Sequence, residues 1–147
     1  MLVHKLSCLS VIATASLVAG VFVLEFGNPR NSSDPKAKNA IAIVRAVGCH
    51  QPENAQLSAT AEGLVSGRRQ SIPLELVKLD TAGLWAIKGS MPPSGSWVIS
   101  VIAREGGQIR GSALATVRTD GSVHREANLM GRTPTAEDVN PLLASLR

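Results

Sequence analysis

The chain reads as an all-β protein, an antiparallel β-sandwich of six or seven short strands with an apolar helix ahead of it and a short helix behind. Three observations predict this. Apolar and polar residues alternate in short runs, most cleanly from Gln56 to Glu62, where Leu57, Ala59 and Ala61 share one face and Ser58, Thr60 and Glu62 the other. Turn signals separate the runs at intervals of roughly 8–12 residues, the rhythm of a sandwich. Aromatic residues make up only 3% of the chain, so a core must come from Ile, Leu, Val and Ala, and the β-branched share favours strands.

The elements follow in order. Met1–Lys5 is a short basic head, and the 19 residues Leu6–Leu24 carry no charge until Glu25. That is the layout of an export signal or a single membrane anchor, so residues 1–26 are expected as one or the other, with the domain outside the cytoplasm. An anchor needs about 20 apolar residues to cross ~30 Å of hydrocarbon, whereas a signal needs a core of about 7–15 and small residues at a cleavage site. Ala13-Thr14-Ala15 and the later Val18-Ala19-Gly20 fit that site, while the apolar stretch through Val21–Leu24 leans toward a retained anchor. Cys8 precedes most of the apolar run, which does not suit a lipoprotein. Residues 27–39, with two prolines and little to bury, read as a flexible linker.

Residues 40–130 then read as the sandwich. Ala40–Val47 is a first strand stopped by Gly48, and Gln56–Glu62 a second, closed by Gly63. Val65–Arg69 is a turn. Ile72, Leu74 and Leu76 alternate next, and Pro73 among them, having no N–H to give a ladder, predicts an edge or a bulge. Leu84–Lys88, Ser96–Ala103 and Ser112–Arg118 are further strands. They are separated by the rigid Met91–Gly95 loop and the Glu105–Gln108 turn, and the Asp120-Gly121 turn follows the last. Val123–Leu129 is a candidate last strand. In the tail, residues 131–147, Thr133-Pro134 looks like a helix start, and Val139, Leu142, Leu143 and Leu146 share a helical face. Pro141 inside that stretch predicts a kink or a restart near Asp138.

The middle of the chain resembles the small immunoglobulin-like modules of exported bacterial proteins, the YtkA-like, FixH-like and carboxypeptidase regulatory-like domains. The resemblance covers roughly residues 40–118. It rests on Ala55–Gly63, on Gly83-Leu-Trp-Ala-Ile87, and on Pro92-Pro-Ser-Gly-Ser-Trp-Val-Ile-Ser-Val101. It implies an immunoglobulin-like sandwich and specifies fold better than function. Some such relatives are linked to copper handling or oxidase assembly at the membrane, and their Met and His clusters have no counterpart here.

Few residues offer chemistry. The formal net charge is +4, with basic residues scattered and only Arg68-Arg69 adjacent. Nucleic acid is not an expected partner, since a binding face needs clustered charge and stacking aromatics. Arg68 and Arg69, in a tight turn, are the binding candidates for an acidic partner or a lipid headgroup, with a solvated turn as the plainer reading. Cys49-His50 is the one pair with ligand chemistry. Cys8 lies in the apolar segment, so Cys49 has no disulfide partner in the domain. Thiolate and imidazole suit Cu(I) or Zn, but a stable site takes three or four ligands, and Met91, His124 and Met130 are distant in sequence. No Gly-x-Ser-x-Gly elbow or other nucleophile signature is present. Trp85 and Trp97 read as core. The expectation is a non-enzymatic, exported or membrane-tethered binding or accessory module with no cofactor, the membrane as partner through the N-terminal helix, and a protein partner in prospect. The alternative is a periplasmic copper or thiol-redox accessory protein using Cys49 and His50.

Overall fold

A computed structural model describes residues 22–48 and 51–147. Eight strands form one antiparallel sheet: β1 (Val23–Gly27), β2 (Ala42–Val47), β3 (Gln56–Val65), β4 (Arg68–Lys78), β5 (Leu84–Lys88), β6 (Ser96–Glu105), β7 (Gln108–Thr116) and β8 (Asn128–Met130). Their spatial order is β1-β2-β5-β4-β3-β6-β7-β8. The sheet curls until its first strand meets its seventh, and the Phe22 N–H donates to the Arg110 carbonyl at 2.9 Å. The result is a nearly closed barrel. A side chain on Gly111 would run into the Phe22 carbonyl, so the seam requires glycine there.

The all-β reading holds, while the sandwich of six or seven strands is corrected to an eight-stranded barrel-like sheet. The device that joins the two halves is β4. Residues 68–74 pair with β3 and residues 75–78 with β5, so one strand serves both sides. Pro73 lies just before the change of partner, where β4 has a neighbour on one side only, as a residue without an N–H demands.

The larger correction concerns the N-terminus. The residues read as the end of an apolar helix make a strand, because Phe22, Leu24 and Phe26 alternate with Val23 and Glu25. The first three face the core at 5%, 2% and 5% exposure. Outside, Glu25 takes a two-pronged ion pair from Arg45 directly across on β2, at 2.6 and 2.9 Å. No N-terminal helix is seen among the described residues, and none of their helices is long and apolar enough to cross a membrane. Residues 1–21 lie outside the described ones.

The stretch expected as a linker is also fixed in place. It forms two short 3-10 turns, Pro29–Asn31 and Pro35–Ala37, capped by the side chains of Asn28 and Asp34. The Asp34 carboxylate accepts from the Asp80 and Lys36 N–H groups, at 2.7 and 2.9 Å, and these bonds hold it below the usual carboxylate range. Ala37 then packs with Ile43, Leu79 and Ala86 on the outer face of β2 and β5.

The main core fills the barrel with the inward residues of β1 to β7, Trp85 and Trp97 among them. Gly63 does not end β3. The strand runs on to Val65, and Gly63 is its point of contact with the Trp97 ring, which occupies the space of a side chain there. The Trp97 indole N–H donates to the Pro92 carbonyl at 2.9 Å, so the buried ring leaves no donor unpaired. On the outer face, helix α1 (Ala136–Ser145) lays Val139 and Leu143 over Val98 and Leu114. Its cap is Thr135, two residues later than expected, in a capping box with Asp138. The helix runs through Pro141 without restarting.

Candidate functional site

Going round the barrel from β1 to β7 takes six antiparallel steps, so those two strands run the same way and their C-terminal ends lie together. They touch at their starts, at Phe22 and Arg110. Farther along, β8 occupies the edge of β7 from Ser112 to Leu114, so β1 cannot follow it. At the far end, a cleft of about 770 Å3 opens between the connection leaving β1 and the chain leaving β7.

Four cations line this cleft: Arg30 and Lys38 from the β1–β2 connection, and Arg118 and Arg125 from the segment after β7. Asp120 is the one carboxylate of the lining. Its charge is already engaged. The Ser122 hydroxyl donates to it at 2.6 Å and the Ser122 N–H at 2.9 Å, and these bonds, with Arg118 nearby, hold Asp120 below the usual carboxylate range. Arg118 reaches the Ser122 hydroxyl at 3.3 Å and the His124 ring at 3.2 Å. Arg30, Lys38 and Arg125 make no ion pair among the described residues, whereas Lys36, Arg45, Arg69, Arg110 and Arg132 each face a carboxylate. A second hollow of about 510 Å3, lined by Asn31, Ser32, Ser33 and Ile43, shares Gly27, Asn28 and Arg125 with the first. Excess positive charge around a concave, hydrogen-bonding surface is the chemistry of an anion site.

Arg68 and Arg69 lie at the exposed tip of the β3–β4 hairpin, where Arg69 approaches Glu62 at 3.8 Å. Neither lines the cleft. Cys49 and His50 lie outside the described residues, so no arrangement of that pair is described. Among the soft ligands weighed with them, Met91 packs on the barrel core and Met130 on the cluster under α1. Among the described residues, no three His, Cys, Asp or Glu side chains gather as a metal cluster. Both tryptophans are 3% exposed and belong to the core, as their sequence setting predicts.

Sequence reasoning missed the cleft because its cations come in two pairs far apart in the chain. Only closure of β1 toward β7 brings Arg30 and Lys38 opposite Arg118 and Arg125. The one local signal was the Asp120-Gly121 turn, flanked by basic residues on both sides. Set against known proteins, the chain matches no family model, no curated protein and no solved structure.

Proposed function

We propose that the chain is a non-enzymatic binding module working outside the cytoplasm, and that the basic cleft is where it takes an anionic ligand. The observation that carries this is the collection of Arg30, Lys38, Arg118 and Arg125 around one concavity whose single carboxylate is engaged internally. Binding is favoured over catalysis by the state of the polar groups. Ser122, the serine nearest Asp120, already donates to it, and a carboxylate held below its ordinary range is a poor general base. Export is supported by the basic head and apolar run ahead of the barrel. The likeness to exported immunoglobulin-like modules belongs to the same proposal, since two of its three segments form the neighbouring strands β3 and β6.

The test is a thermal-shift and calorimetric series at low salt with pyrophosphate, citrate, choline and glucose. The anions should raise the melting temperature in proportion to the logarithm of their concentration, by an amount equivalent to about 2.7 kcal/mol at a hundredfold excess over Kd. The effect should fade as salt rises toward the ionic strength where surface fields are screened. Arg30→Gln with Arg125→Gln should remove the anion response. An equal response in that double variant, or none to any anion, refutes the site. Protease added to intact spheroplasts should degrade the domain, and full protection refutes export. The copper or thiol-redox alternative makes a separate prediction, that Cu(I) or Zn binds with defined stoichiometry and that Cys49→Ser abolishes it.

A further inference from the structure

We infer that the N-terminal apolar segment is cut off ahead of Phe22 by a signal-type endopeptidase, releasing the barrel instead of anchoring it. The inference rests on export and not on what the cleft holds. Its main support is the place of β1. Phe22 donates its N–H across the seam to Arg110, its carbonyl fills the space beside Gly111, and Leu24 and Phe26 lie in the barrel core. Nothing from Phe22 onward is therefore available to a membrane helix.

That shortens the apolar run. In the bare sequence it covers Leu6–Leu24, long enough to span, but only the 16 residues Leu6–Val21 lie outside the barrel. As a helix they extend about 24 Å, short of the ~30 Å hydrocarbon layer. An anchor made from them would also meet the barrel wall with no spacer, because the linker-like residues after Gly27 come behind β1 and are pinned to the barrel through Asp34 and Asp80. A signal needs less. Leu6–Ile12 precedes Ala13-Thr14-Ala15 and Leu6–Leu17 precedes Val18-Ala19-Gly20, and both cores fall within the ~7–15 residues that suffice. Small side chains stand at the first and third places before the Ala15–Ser16 bond, and glycine stands immediately before the Gly20–Val21 bond.

The step is hydrolysis. Water adds across one of these two amide bonds, the carbonyl carbon leaves as the carboxylate of the signal fragment, and the nitrogen becomes the α-amine of Ser16 or Val21. Either product keeps Phe22 with a peptide N–H, so the seam bond to Arg110 survives. A cut beyond Phe22 removes it.

The test uses the full chain, expressed in a bacterial host and fractionated, with intact mass and N-terminal sequence read on the recovered protein. The expected species begins at Ser16 or Val21 and is soluble after the inner membrane is removed. The double variant Ala15→Leu, Gly20→Leu should accumulate as the uncut chain in the membrane fraction. Wild-type protein recovered at full length from membranes, extracted only by detergent, overturns cleavage while leaving export intact. Full-length protein in the cytoplasm overturns export and cleavage together. A folded product that begins after Phe22 refutes the role given to the seam.

Discussion

Trp97 and Gly63 are a matched pair: the ring fills the space of the missing side chain, and the indole N–H is satisfied by Pro92. Trp97→Ala should therefore cost about 3–5 kcal/mol in denaturant unfolding, the usual range for deleting a large buried ring. Gly63→Ala should also destabilise, because the new methyl group meets the ring without any volume being lost. A Trp97→Ala protein as stable as wild type contradicts the packing. A different kind of residue effect sits at Asp138. Arg132 grips its carboxylate at 2.6 and 2.8 Å and the Thr135 N–H donates at 2.7 Å, and the arginine first, then that N–H, hold it far below the usual carboxylate range. A depressed folded-state pKa means stabilisation that is complete above the unfolded value, near 3.9, and is lost as pH falls toward the folded one. The difference in melting temperature between wild type and Asp138→Asn should thus be full at neutral pH and shrink below about pH 4. A difference that stays constant to pH 2 shows that the carboxylate charge does not matter there.

Among the elements, the legible strands were those whose alternation stood between clear turns. Leu57, Ala59 and Ala61 announced β3, and Asp120-Gly121 the turn after β7. β1 was illegible for a physical reason. Its alternation of Leu24 and Phe26 with Val23 and Glu25 is joined to an apolar run, so the period-2 signal merges into a longer hydrophobic one, and only Glu25, matched by Arg45 across the ladder, betrays a strand. A chain beginning at Asn28 should fail to fold. It lacks Phe22, Leu24 and Phe26, whose burial is worth about 1.5–3 kcal/mol each, together comparable to the whole stability of many domains. Circular dichroism of that shortened chain against one beginning at Val21 decides the matter. The tail shows the opposite balance. Pro141 removes one hydrogen bond from α1 and crowds the Glu137 carbonyl, yet Val139 and Leu143 against Val98 and Leu114 hold the helix together. Pro141→Ala should raise stability by about 1–3 kcal/mol, and a lower melting temperature in that variant rules out strain at this position.

For the molecule as a whole, the candidate site shows how little of a binding surface is written locally. Arg30, Lys38, Arg118 and Arg125 looked like scattered surface charge, and only the parallel run of β1 and β7 collects them at one end. The seam bond lies at the opposite end from the cleft, yet the same closure sets Arg30 and Lys38 opposite Arg118 and Arg125, so damage at the seam should loosen the cleft as well as the barrel. Phe22→Pro deletes the single N–H that bridges to Arg110. Amide exchange in this variant should quicken first along β1, well ahead of β3 and β6, which each have a strand on both sides. Uniform exchange across all strands contradicts a separately opening seam.

Chains are made from the N-terminus onward, and that gives the seam a history. β1 is the first of the described strands to appear and has β2 close behind it in sequence, but the residue across the seam, Arg110, comes 88 positions after Phe22. Until then the seam edge of β1 lacks even the Phe22 bond, and in the finished barrel Val23–Gly27 still has β2 as its one ladder partner. Contacts between residues far apart in sequence pay a larger loop-closure cost before they form, which places this junction after the local β1–β2 pairing. That open edge is a template on which a strand from a second copy can pair. Refolding at rising protein concentration should therefore divert molecules into exchanged pairs through β1, while slow, dilute refolding yields single barrels.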